Sequence, residues 1–218
     1  EKSGGDGDIV WRGAYVTATE LVGRRAEVRG KRVVELGAGS GLLGALCAHF
    51  GAHAVITDGD QAEMPVLGEN AERFRDELSL GGTLAAGYLE WGLKGLEEAE
   101  AQPGGGAAPL RRGGFDLVIG SDIVYIPEFI DALAESIALL LADGGEALIA
   151  NTAVATRTSH AEARAQFLAA LEKTGLRVEL EEHPDGPAFM AMGNNGLPSH
   201  SYFLRMSWPE GRRPEAAA

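Results

Sequence analysis

The sequence predicts an α/β protein: an open sheet of seven strands, mostly parallel, with helices on both faces and an antiparallel strand at the C-terminal end. Three observations predict it. Short apolar runs alternate with helix-like segments along most of the chain, the pattern of strands joined by crossover helices. The first run, Arg32-Val33-Val34-Glu35-Leu36, ends in the glycine turn Gly37-Ala38-Gly39-Ser40-Gly41 and opens into a helix. The last two runs are joined by chain rich in proline, glycine and asparagine, so a hairpin-like return replaces the helical crossover there.

The elements follow in order. A helix near Tyr15–Glu27 precedes the strand Arg32–Leu36, and the glycine turn leads into a helix over Leu42–Phe50. The strand Ala54–Thr57, a helix over Ala62–Leu78 and the strand Leu84–Leu89 come next. Gly92–Gly114, with Pro103-Gly104-Gly105-Gly106 at its centre, has turn chemistry and little apolar periodicity, and reads as a flexible insertion loop. The strand Asp116–Gly120 follows. The helix Pro127–Leu141 carries Phe129, Leu133, Ile137, Leu140 and Leu141 at helical spacing and ends at Asp143-Gly144-Gly145. The strand Glu146–Asn151, the helix Ala161–Thr174 and the strands Arg177–Glu182 and Tyr202–Ser207 complete the set.

With 218 residues, 45% hydrophobic and 23% charged, the composition is that of one soluble globular domain spanning 1–218, with 1–8 and 209–218 as disordered tails. No apolar run approaches the length of a membrane span, and the acidic start lacks the basic residues of a signal peptide. A soluble, intracellular, cytoplasmic protein is expected, and a monomer. The chain begins at Glu1 without methionine, which points to a processed or trimmed N-terminus. The one cysteine, Cys47, lies among Leu43, Leu46 and Phe50 and reads as core packing. A formal charge of −13 without a basic cluster argues against a nucleic-acid partner and suits a cationic substrate. The histidines are scattered and suggest no metal site.

The glycine turn marks a nucleotide-type cofactor site, because glycine lets the backbone approach a ligand and the next helix points its free N–H groups into the same space. The turn supports two patterns. Gly39, Gly41 and Gly44 spell the G-x-G-x-x-G of dinucleotide binders, and Glu35, Gly37, Gly39 and Gly41 spell E-x-G-x-G-x-G. Asp58, at the end of the second strand, is placed to accept both hydroxyls of a ribose; the plainer role is a turn at Thr57-Asp58-Gly59-Asp60. Leu89-Glu90-Trp91-Gly92 closes the third strand, putting an acid and a large ring where a purine would lie; the plainer role for Trp91 is packing. Ser121-Asp122-Ile123-Val124-Tyr125 follows the fourth strand, at the switch point where open α/β sheets bind ligands. The architecture is thus Rossmann-like.

Taken together, Glu35-x-Gly37-x-Gly39-x-Gly41, Thr57-Asp58, Leu89-Glu90-Trp91-Gly92 and Ser121-Asp122-Ile123-Val124-Tyr125 resemble the motifs of seven-β-strand methyltransferase family sixteen, the protein-lysine methyltransferases of chaperones, an ATPase, translation factors and calmodulin. Val10-Trp11-Arg12-Gly13-Ala14 resembles the family's lead-in, and Asn70 sits where the family keeps an asparagine. The resemblance covers about Ile9 to Glu182. It implies S-adenosyl-L-methionine as cofactor, contacted by Trp11, Glu35, Gly37, Ala38, Gly39, Asp58, Trp91 and Ser121. It also implies a lysine-bearing protein as partner, faced by Asp122 and Tyr125 as the catalytic pair. On that reading Asp122 positions the ammonium and Tyr125 holds the nitrogen lone pair in line with the methyl group. Ser121 departs from the family's usual alanine. Three rivals remain: a small-molecule methyltransferase on the same fold, with Pro184–His200 as a lid; a nicotinamide-dependent oxidoreductase using Gly39, Gly41 and Gly44; and a cofactor-binding protein without activity, against which Asp122 and Tyr125 count.

Overall fold

A computed structural model describes residues 10–101, 110–154, 158–183 and 199–211. Its sheet has seven strands: β1 (Arg32–Leu36), β2 (His53–Asp58), β3 (Thr83–Tyr88), β4 (Phe115–Ser121), β5 (Leu141–Val154), β6 (Arg177–His183) and β7 (Ser199–Ser207). Their spatial order is β3-β2-β1-β4-β5-β7-β6. β1, β2, β3, β4 and β5 run parallel, and β7 is antiparallel to both its neighbours. The predicted α/β class and the hairpin-like return of the last two strands are what the chain adopts. The connection 184–198, including most of the lid candidate, lies outside the described residues.

The helices are α1 (Arg12–Gly23), α2 (Arg25–Val28), α3 (Leu42–His49), α4 (Met64–Arg75), α5 (Leu93–Ala101), α6 (Ile130–Leu140) and α7 (Thr158–Thr174). Strand alternation sorts the core into two layers. Val34 and Leu36 face a cluster with Leu133, Ile137, Phe167 and Trp208, on the side of α6 and α7. Val33 faces the other, with Leu21, Leu43, Cys47, Ile56 and Leu67 from α1, α3, β2 and α4. Cys47 is buried there as expected, and burial pushes its thiol well above the ordinary range.

Several boundaries move for local reasons. The N-terminal helix starts at Arg12 and breaks at Arg24, whose backbone (φ −102°, ψ 15°) leaves the helical well, so α2 is a separate turn. α4 starts at Met64 rather than Ala62, because Asp60 accepts the Ala62 N–H in an Asx-turn and Pro65 sets the first helical turn. Pro127–Phe129 is a 3₁₀ turn before α6.

The largest correction falls in the predicted insertion loop, where Leu93–Ala101 is a helix. Its start is held by Gly92 N–H to Ser136 Oγ at 2.7 Å and Leu93 N–H to Glu135 Oε2 at 2.8 Å, both on α6, with Leu96 buried beneath. Residues 102–109, the glycine-rich centre, lie outside the described residues. In the predicted C-terminal tail, Pro209–Gly211 forms a tight turn with Glu210 in the left-handed region (φ 56°), after Trp208, whose buried indole donates to the Leu141 carbonyl at 3.3 Å. The rest of that tail, and 1–8, fall outside the described residues.

α1 lies across the sheet and is fastened at its C-terminal half. Arg205 of β7 meets Glu20 at 2.9 Å, and Arg24 meets Glu146 of β5 at 2.6 Å. Thr17, fully buried, donates its hydroxyl to the Gly13 carbonyl at 2.8 Å. Among the described residues no helix is long and apolar enough to cross a membrane.

Candidate functional site

β1 and β4 are neighbours and their following connections leave to opposite sides, which opens a crevice at their carboxyl ends. The glycine turn occupies it. Gly37, Gly39 and Gly41 have φ of 59°, 50° and 78°, a region that residues with a Cβ rarely enter. The turn is braced on every side. Ala38 N–H donates to the Thr57 carbonyl at 2.9 Å, Gly39 N–H to Asp58 Oδ2 at 3.0 Å, and Asn70 Nδ2 to the Ser40 carbonyl at 3.0 Å. Thr57 Oγ1 donates to the Glu35 carbonyl at 2.7 Å. Asp58 also accepts the Asp60 N–H at 3.0 Å, so the Asx-turn at Thr57–Asp60 is present.

Glu35 follows Val33 onto the α3 face of β1 and lies beneath the turn, only 3% exposed. Its carboxyl accepts the Gly44 N–H at 2.7 Å and caps α3 from below, where Gly41 as N-cap residue has no side chain to do so. Burial raises its pKa to about 8, against the pull of the Gly44 and Leu43 N–H groups. Glu35 therefore differs from the expected cofactor contact: it supports the turn from the core side. Gly44 is likewise a packing position. A Cβ there would collide with Ile56 Cγ2 and stand 3.1 Å from Glu35 Oε2, so its place in the G-x-G-x-x-G pattern reflects close helix-on-sheet approach.

Trp91 closes the other wall. A Cβ on Gly37 would lie 3.2 Å from Trp91 Cζ2 and 2.7 Å from Ile123 Cγ2, so ring, turn and β4 exit meet there. Phe129 stacks edge-on against the indole at 6.4 Å between centroids. The indole Nε1 is buried and makes no hydrogen bond. An orphaned donor beside a left-handed glycine turn fits a bound acceptor atom of a nucleoside cofactor, because a buried N–H left unpaired costs about 1–3 kcal/mol.

The exit of β4 is the most constrained segment. Asp122 has φ 53°, rare for a residue with a side chain. Its N–H donates to the Ala150 carbonyl at 2.8 Å. Its Oδ2 accepts the Gly13 N–H at 2.6 Å and its Oδ1 the Thr152 N–H at 2.7 Å. Desolvation raises its pKa against those two bonds. Two residues on, Asn151 grips Val124 twice: Val124 N–H donates to Asn151 Oδ1 and Asn151 Nδ2 to the Val124 carbonyl, both at 3.1 Å. Tyr125 then projects outward, half exposed, as does Trp11 at the start of α1.

The structure thus brings Gly37, Trp91 and Ile123 into one wall, Gly39 and Asp58 into one contact, and Gly13, Asp122 and Thr152 into another. Ser121, half-buried, ends β4 beside them. Sequence reasoning missed Gly13, Asn151 and Thr152 as parts of this construction. The signal available was a polar pair ending the apolar run Ala147-Leu148-Ile149-Ala150 on a central strand.

The chain is similar in sequence and in fold to known proteins. The chain is 34% identical over 131 residues to the protein N-lysine methyltransferase METTL21A of Danio rerio, covering 59% of this chain and 53% of that protein. It is 30% identical over 216 residues to the protein-lysine N-methyltransferase EFM3 of Chaetomium thermophilum, covering 93% of this chain and 59% of that one. The chain thus spans little more than half the length of these relatives. Among solved structures the cyclase SpnF superposes with a TM-score of 0.62 over 94% of this chain and 84% of that chain; at 15% identity the likeness is one of fold alone. The family model described as lysine methyltransferase matches residues 1–174, and this chain belongs to that family, whose methyl donor is S-adenosylmethionine.

Proposed function

We propose that the chain transfers a methyl group from S-adenosylmethionine to a lysine side chain of a non-histone protein of the chaperone, ATPase or translation-factor type. It does so as a single-domain monomer in the cytoplasm, without nucleic acid or membrane as partner. The observation that supports this reading best is that the family-like segments after β1, β2, β3 and β4 all end at one edge of the sheet, around one glycine turn.

The cofactor would supply an electrophilic methyl group on a sulfonium. The chain's part is to hold and align. Gly37, Ala38 and Gly39 offer backbone at close range, and Asp58 has lone pairs for ribose hydroxyls while keeping its bond to Gly39. Trp91 offers its free N–H and ring face, with Trp11 and Ser121 completing the cradle. Tyr125 faces the acceptor, its backbone fixed by the Asn151 grip on Val124. A lysine amine must lose its proton before it attacks, and its ordinary pKa is about 10.4. A partly apolar channel lowers that value, and the −13 charge draws the cation in from solution.

Incubation of the chain with methyl-labelled cofactor and a cell extract is expected to place label on lysine of a protein; label on a metabolite, or none, rejects the reading. Tyr125→Ala is expected to lower kcat by about 100-fold. Its Kd for S-adenosylmethionine should stay within about twofold by calorimetry. A tenfold weaker Kd would instead move Tyr125 to the cofactor.

A further inference from the structure

We propose that Asp122 is the N-cap of α1, supplied from another element of the fold, and that this latch is its task rather than contact with the acceptor. Trp11 stands at the N-cap position of α1 with extended backbone (φ −72°, ψ 160°), yet makes no side-chain cap bond, and the first turn contains no acid. Ala14 N–H donates to the Trp11 carbonyl at 3.1 Å, while Gly13 N–H has no acceptor within the helix's own turn. Asp122, 109 residues from Gly13 in sequence, accepts the Gly13 N–H at Oδ2, a position where a negative charge also meets the positive end of the helix dipole.

The rest of the construction serves that bond. Oδ1 accepts the Thr152 N–H, so one carboxylate at the exit of β4 joins α1 to β5, each oxygen holding one backbone N–H. The left-handed φ of 53° aims the side chain there, a conformation kept only where the surroundings fix it. Gly13 is the one residue type that permits the approach, because a Cβ would lie 2.7 Å from Oδ2 and 2.8 Å from Cγ.

Since Glu20 and Arg24 hold the far half of α1 independently, opening the latch releases the first turn alone, with Trp11 at its head. The latch therefore sets whether that turn stands at the crevice. Only its consequence for the cofactor rests on the proposed activity.

Hydrogen exchange of the full chain tests it, with Asp122→Asn and Gly13→Ala. Asparagine tolerates the left-handed backbone, so Asp122→Asn removes charge and one of the two bonds without adding strain. Gly13→Ala leaves the carboxylate in place but wedges it away. Both variants should exchange the amides of residues 13–17 about tenfold faster or more, while residues 18–23 and α3 stay within about twofold.

Both should also weaken the Kd for S-adenosylmethionine by about tenfold. Unchanged protection of 13–17 in Asp122→Asn overturns the latch. So does a Gly13→Ala chain with normal protection and affinity beside an Asp122→Asn chain that has lost only kcat, the mark of a residue touching the acceptor. If the unaltered chain binds no S-adenosylmethionine, the activity proposed above fails, and the exchange rates still decide the latch.

Discussion

Between pH 5 and pH 9 the unaltered chain should lose thermal stability that Glu35→Gln retains. Glu35 is buried, and desolvation on folding raises its pKa from 4.5 to about 8. The sign follows from linkage: a carboxyl whose folded pKa lies above its unfolded value stabilises the fold fully below the unfolded value. That stability is lost as pH climbs toward 8. At about 1.4 kcal/mol per unit, the loss is on the order of 3–5 kcal/mol, or roughly 10 °C in Tm for a chain of this size.

Glutamine keeps an oxygen for the Gly44 N–H and has no proton to lose. The difference in Tm between the two chains, followed against pH, isolates this one group from every other titration. Parallel curves would mean that Glu35 stays charged or that water reaches it.

Gly44→Ala should destabilise the fold by about 2–3 kcal/mol, even though alanine is the better helix former by about 1 kcal/mol. The new methyl would meet Ile56 Cγ2 across the α3–β2 contact, and Glu35 Oε2 beside it. Both neighbours are buried and have no room to retreat. Gly68→Ala in α4 is the matched control. It faces open space, so the same change there should add about 0.5–1 kcal/mol. Denaturant melts of the two variants should therefore move in opposite directions. A neutral Gly44→Ala would mean that the α3–β2 contact has room for a Cβ, and would reopen a ligand-facing role for this glycine.

Both results concern the glycine turn and the residues that support it. Its existence was legible because three glycines after an apolar strand have few other uses, and Asp58 and Trp91 were legible as the ends of later strands. What each glycine touches was not. Gly44 fits a ligand-binding pattern, yet its hydrogen bond and its missing Cβ both face the protein.

Glu35 belongs to the same motif but points to the core, a consequence of strand alternation that motif spacing does not carry. Asp122 was legible as an acid that needs partners. Those partners, Gly13 and Thr152, come from the first helix and the fifth strand, and only the fold brings them together. The helix at Leu93–Ala101 was hidden for another reason. Its apolar signal is little more than Leu93 and Leu96, and its start is fixed by Glu135 and Ser136 on α6 rather than by anything local.

The place of β7 has a consequence for folding. Among the described residues β6 pairs with β7 alone, and β5 is joined to β6 only through it. In a chain whose residues 199–207 have not yet docked, β6 has no partner and β5 presents a bare edge of unpaired backbone. The five parallel strands, with the crevice between β1 and β4, come earlier in the chain. Until residues 199–207 are in place, two strands of the sheet therefore lack this partner at once, and it is there that a folding chain is open to edge-to-edge association.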